Sequence, residues 1–167
     1  MLGYSSGAVL ALRAAARGLA ITKLALYDLP PAQSAEHPAA LAALVAAGRR
    51  GDAVEYFQRR LVGIPEPVVV QLRHAPFRPA LEAMAHTLVY DATLMDYGGV
   101  SPAWVAKVRP PTLAIAGGAS HPQMPAIAAA LATSLPNGDS LTIEGATHDL
   151  VPAILGPALE LFFAGQG

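Results

Sequence analysis

A Gly-x-Ser-x-Gly pentapeptide, Gly3-Tyr4-Ser5-Ser6-Gly7, leads directly into the Ala/Leu-rich stretch Ala8 to Ala16, and Gly18 follows it. Such a stretch reads as a buried helix with a glycine stop. Before the turn only Met1 and Leu2 are left to serve as a strand. Ile21 to Tyr27 then reads as a short, largely buried strand, ended by Pro30 and Pro31. In the last third, RPPTLAIAGG is a strand led in by prolines, PQMPAIAAALATSLPNG a helix ending in a turn, SLTIEG a second strand and VPAILGPALELFFAG a closing helix. Strand, helix, strand and helix at this spacing imply parallel pairing through right-handed crossovers.

Between these parts, from Gln33 to Lys107, the pattern is helical. Prolines at positions 38, 65, 67 and 79 fall where first helical turns belong, and glycines at 48 and 63 where helices stop. The run Val68 to Val70 is β-branched, so a strand stays open as an alternative there.

At 167 residues the chain suits one domain with a real core. Hydrophobic residues make up 53% and charged residues 14%, against roughly 25% charged in an average soluble domain, so an exposed apolar patch or partner surface is expected. A formal charge of -1 without a Lys/Arg run argues against nucleic acid or an anionic membrane as partner and favours a small molecule. The absence of cysteine excludes disulfides, thiolate chemistry and Cys-based zinc sites. Arg13 and Arg17 interrupt the first apolar stretch and no basic segment precedes it, so it does not read as a signal peptide. The longest apolar run, Ala39 to Ala47, falls short of the roughly 20 residues of a membrane span, and the default compartment is the cytoplasm.

The order of elements and motifs resembles the C-terminal half of an α/β-hydrolase over nearly the whole chain. GYSSG before a helix, LALYDLPP after the next strand, a helical insertion, PPTLAIAGG, and GATHDL before the last helix carry the likeness. The resemblance implies an α/β fold: a mostly parallel sheet of three full strands plus a strand stub, in one partial domain over 1–167, with a helical cap at 33–107. It further implies a serine hydrolase acting on an ester or related acyl bond of a small molecule, with no cofactor. Ser5 would be the nucleophile on a sharp strand-to-helix turn whose flanking glycines relieve crowding, and the Ser6 backbone N–H an oxyanion donor. Ser6 reads equally as a helix N-cap.

His148 of GATHDL stands on the loop where the family places its general base, whereas His37, His74, His86 and His121 lack ligand spacing and suggest no metal. Many relatives carry the acid shortly after the penultimate strand, where this chain has GGASHP, and Ser120 cannot hold a developing imidazolium as a carboxylate does. The alternative location, directly after the strand that follows the turn, holds Asp28. Asp91 and Asp96 remain alternatives, and Asp149 would point away from its neighbour His148. For the substrate, Tyr4, Met84 and Trp104 are the candidate contacts, and Phe57, Phe77, Tyr90, Met95 and Tyr97 add to an apolar cap lining.

An intact member of the family has about four strands before the turn, and a loop after the third supplies a second oxyanion donor. The sequence therefore reads as N-terminally truncated, with the strand after the turn expected to expose an edge that invites self-association. A catalytically silent binding or assembly module is the alternative to an active hydrolase.

Overall fold

The computed structural model describes residues 1–96 and 102–165. By Cα packing the chain divides into two compact units, Met1–Pro31 with Val100–Gly167, and Ala32–Gly99.

The first unit is built on four parallel strands that lie side by side in chain order: β1 (Leu2–Tyr4), β2 (Leu24–Tyr27), β3 (Thr112–Gly117) and β4 (Gly138–Ile143). Helix α1 (Ser6–Ala16) follows β1. All four residues of β2 are buried, as expected of a parallel strand covered on both faces. Leu24 and Leu26 belong to one core, with Leu12 of α1 and Ala114 and Ala116 of β3, while Ala25 and Tyr27 belong to another with Ile115. The apolar run of β2 thus hides an alternation of faces. α1 ends before Gly18, whose φ of 86° lets the chain reverse.

The second unit contains the helices α2 (Glu36–Ala46), α3 (Arg50–Phe57), α4 (Glu66–Leu72), α5 (Arg78–Ala83) and α6 (Leu88–Asp96). A π-helical turn, Gln58–Val62, continues α3 and stops at Gly63 with a φ of 78°. Leu41, Ala53, Val54, Ala85 and Ala92 form this unit's own core. Val68 to Val70 lie in α4, with Val69 buried and its two neighbours exposed. The strand alternative that their β-branching kept open is thereby corrected; the prolines at 65 and 67 start the helix.

Glu55 organises the polar interior of this unit. Its carboxylate accepts from Arg73 at 2.7 and 2.8 Å, from Arg59 at 2.6 Å and from Arg78 at 3.3 Å. The Arg73 hydrogen bond, outweighing burial and joined by the charges of the three arginines, holds its pKa at about 2.

Returning to the sheet unit, α7 (Pro102–Val105) precedes β3, α8 (Met124–Ser134) joins β3 to β4, and α9 (Pro152–Ala164) follows β4. Val105 and Val108 pack with Leu12 and Leu131 on one face of the sheet, and Leu155 of α9 packs on the other. The helical insertion read to residue 107 therefore ends in residues that fill the core of the sheet unit. The expected open edge also moves. β1 pairs with β2 through Leu2 and Ala25, Gly3 and Leu26, and Tyr4 and Tyr27, so three residues suffice to cover a four-residue strand. Among the described residues the unpaired outer edges belong to β1 and β4, not to β2.

Candidate active site

Two adjacent strands end in matching turns. Ser5 follows Tyr4, Asp28 follows Tyr27, and Tyr4 and Tyr27 are register partners. Both turn residues have positive φ, 52° for Ser5 and 48° for Asp28. Such backbone costs about 1–3 kcal/mol in a residue other than glycine and persists where the surroundings enforce it. Here the Ser5 N–H donates to the Tyr27 carbonyl at 3.0 Å, and the Asp28 N–H to that of Ile115 at 2.9 Å.

Gly3 makes the first turn sterically feasible. A Cβ there would stand 2.8 Å from the Ala8 Cα and 2.8 Å from the Gly7 carbonyl oxygen. A Cβ on Gly7 would meet nothing within 4 Å among the described residues, so the crowding expected at both glycines is found at one. Ser5 is the residue that caps α1, without a side-chain cap hydrogen bond, and Ser6 is the helix's first residue. The N-cap reading of Ser6 is thereby corrected.

Asp28 is buried at the end of β2 and gathers three donors. Its Oδ1 accepts from the Gly117 N–H at 2.9 Å, and its Oδ2 from the Ser120 hydroxyl at 2.7 Å and from His148 Nδ1 at 2.9 Å. Burial by itself raises the carboxyl pKa, but hydrogen bonds from His148, Gly117 and Ser120 outweigh it and hold it below the usual value. Because an ionised carboxylate only accepts, the proton of that contact sits on Nδ1, and Nε2 of the neutral ring is left as a base.

His148 itself lies beyond β4, past Gly145, whose φ is 73°. Its ring packs against that of Tyr4, with centroids 4.9 Å apart, and the Tyr4 hydroxyl donates to its carbonyl at 2.7 Å. Asp149 Oδ2 accepts instead from the Thr147 hydroxyl at 3.3 Å.

Ser5, Ser6, Tyr4, Asp28 and His148 thus all belong to the sheet unit, the first four around the register-paired ends of β1 and β2. Trp104 is in the same unit but packs against its core, with the Arg13 guanidinium 5.6 Å from its ring centroid. Asp91 and Asp96 lie on α6 of the helical unit, and Met84 lies there too, 54% exposed. Phe77 and Tyr90 are exposed in that unit, Met95 is buried, Phe57 packs on its core, and Tyr97 is outside the described residues. His37 bonds Tyr56 at 2.9 Å, and the Nδ1 of His121 accepts from the Gln123 N–H at 3.3 Å.

Two residues beyond the expected set also belong to this cluster. Ser120, which cannot hold a developing imidazolium as a carboxylate does, donates its hydroxyl to the Asp28 carboxylate. Tyr27 precedes Asp28 as Tyr4 precedes Ser5, and this parallel between the two strand ends is visible in the sequence.

Neither a protein-family model nor a curated protein matches the chain. Solved structures do. An alpha/beta hydrolase from Sphaerobacter thermophilus DSM 20745 superposes with a TM-score of 0.86 at 42% identity, over 97% of this chain and 66% of that one. An alpha/beta hydrolase enzyme from a Medee basin deep-sea metagenome library shares the fold at 16% identity and a TM-score of 0.68, over 99% of this chain and 65% of its own. The enol-lactonase from Burkholderia xenovorans LB400 does so at 19% identity and a TM-score of 0.62, covering 98% and 65%. The chain spans about two thirds of the length of each of these structures. With strand order, turn geometry and the 42% identical relative in agreement, the chain belongs to the α/β-hydrolase superfamily.

Proposed function

We propose that the protein is a serine hydrolase that cleaves an ester or related acyl bond of a small, apolar molecule through Ser5, His148 and Asp28. The observation that carries this reading is the 2.9 Å contact between His148 Nδ1 and Asp28 Oδ2, made beside a serine at the adjoining strand end. Ser5 Oγ attacks the acyl carbon as Nε2 of His148 takes its proton, and the carbonyl π pair moves onto oxygen. The Ser6 N–H stabilises that oxyanion. Collapse expels the alcohol or amine, which leaves with the proton from Nε2, and water then repeats the sequence to free the acid and restore Ser5. Asp28 holds the imidazole in the tautomer with hydrogen on Nδ1 and offsets the charge it acquires.

Supporting the reading are the strained backbone of Ser5, the pKa of Asp28 lying below its ordinary value, and the hydrolase name of the 42% identical solved relative. A fluorophosphonate probe tests it. Labelling of the native chain that disappears in Ser5→Ala is the expected result; folded native protein that takes no label overturns it. One observation favours a second reading, a catalytically silent assembly module: the outer edge of β1 is unpaired among the described residues and offers a surface for another copy. A folded, unlabelled protein that sediments as an oligomer would replace the hydrolase with that module.

A further inference from the structure

The loop that carries His148 is poorly anchored by apolar contacts. Most of β4 is exposed, and so are Glu144, Gly145, Thr147 and Asp149 of the following turn, with Ala146 the exception. Its position rests on polar ties. The Gly118 N–H donates to the Ile143 carbonyl at 2.9 Å and the Ala119 N–H to that of Ala146 at 2.9 Å. The His148 ring adds its bond to Asp28, and two further ties come from tyrosines. Tyr27 donates its hydroxyl to the Thr147 carbonyl, and Tyr4 donates its own to the His148 carbonyl at 2.7 Å.

Those carbonyls belong to the two peptide groups on either side of the His148 Cα. Holding both fixes φ and ψ of His148 together, and with them the direction of its Cα–Cβ bond. The tyrosines are register partners with rings stacked 6.0 Å apart, each occupying the last position of its strand, immediately before Ser5 and Asp28. From this geometry we infer that Tyr4 and Tyr27 are a paired clamp that positions the His148 imidazole, tying the loop of the base to the two strand ends that carry the nucleophile and the acid.

The clamp rests on the proposed hydrolase reading and gives Tyr4 a task other than substrate contact. Gly117 leaves room for it, since a Cβ there would stand 2.6 Å from the Ala146 carbonyl, 2.9 Å from that of Thr147 and 3.0 Å from the Tyr27 hydroxyl. Both phenols are kept as donors. Burial first, then the charges of Asp149 and Asp28, raise the pKa of Tyr4; burial and Asp28 raise that of Tyr27. The ring of Tyr4 also closes one side of the imidazole, whose other named neighbours are Asp28 at Nδ1 and Asp149 next along the chain.

The test uses Tyr4→Phe, Tyr27→Phe and the double variant, which remove hydroxyls and keep rings. It reads two quantities: the low-field Nδ1 proton resonance of His148 by NMR, with its exchange against water, and the rate of fluorophosphonate labelling. In the native chain the resonance is expected to be present and to vanish in Asp28→Asn. Each single Phe variant should speed its exchange and slow labelling by about threefold to tenfold, the scale of one lost neutral hydrogen bond, and the double variant by more than either. Amide dispersion reports folding, and Tyr4→Phe carries the test if Tyr27→Phe does not fold. A resonance with unchanged shift and exchange in the folded Tyr4→Phe variant overturns the clamp and leaves the triad standing. Native protein that shows the resonance but takes no label overturns the hydrolase reading alone, the clamp then being judged by exchange. A resonance missing from the native chain overturns both.

Discussion

Replacing Glu55 by glutamine should weaken the helical unit in a way that depends on pH. The Glu55 side chain is only 8% exposed and its carboxylate faces Arg73, Arg59 and Arg78, which hold its pKa at about 2 against an ordinary 4.5. At about 1.36 kcal/mol per pH unit that gap corresponds to about 3 kcal/mol. Arg73 and Arg59 have side chains 47% and 31% exposed. Water screens part of their attraction, which brings the expected contribution to about 2 kcal/mol. The sign follows from the depressed value: the stabilisation is complete above pH 4.5 and fades as pH falls toward 2, where the folded form also takes up the proton. Glu55→Gln should therefore lower the stability measured by urea unfolding by about 2 kcal/mol at pH 7, with far-UV dichroism following the helical unit. The difference from the native chain should shrink steadily between pH 4.5 and 2. A difference that stays constant across that window would refute the ion-cluster account and leave only the packing change of the substitution.

Other changes act on the sheet unit. Asp28→Asn presents an amide N–H₂ where His148 and Ser120 donate, forcing the imidazole into the wrong tautomer, so turnover of a chromogenic ester should fall by on the order of a thousandfold or more. Asp91→Asn and Asp96→Asn should leave that rate nearly unchanged; a larger loss from either than from Asp28→Asn would relocate the acid. Gly117→Ala drives a methyl group to 2.6 Å from the Ala146 carbonyl, and should cost about 1–3 kcal/mol in unfolding experiments while detaching His148 from Asp28. Gly3→Ala, whose Cβ meets backbone at 2.8 Å, should destabilise the chain more than Gly7→Ala, which meets open space; equal losses would contradict the turn geometry.

The parts of the fold that the sequence displayed are those governed by local rules. Prolines 65, 67 and 79 open helices, and glycines 18, 48 and 63 close them with positive φ, because both residues act through their own backbone. The parallel pairing of the strands and the placement of His148 after the last strand were legible through the resemblance and the Thr-His-Asp loop, whereas the edge strand was not. For the carboxylate, the sequence offered Asp28 with Asp91 and Asp96 as alternatives, since which carboxylate meets the imidazole depends on pairing between β2 and β3, distant in sequence. The clamp and the Ser120 contact were hidden for the same reason: a hydroxyl reaching across 144, 120 or 92 residues of chain leaves no periodic mark. Tyr97, expected to line an apolar cap, lies outside the described residues.

Asp28 and Ser120 approach one another from the tips of neighbouring strands, 2.7 Å between oxygens. A carboxylate entering from either tip would reach the same imidazole edge, so the charge is specified as a point in space while its place in the chain is left negotiable.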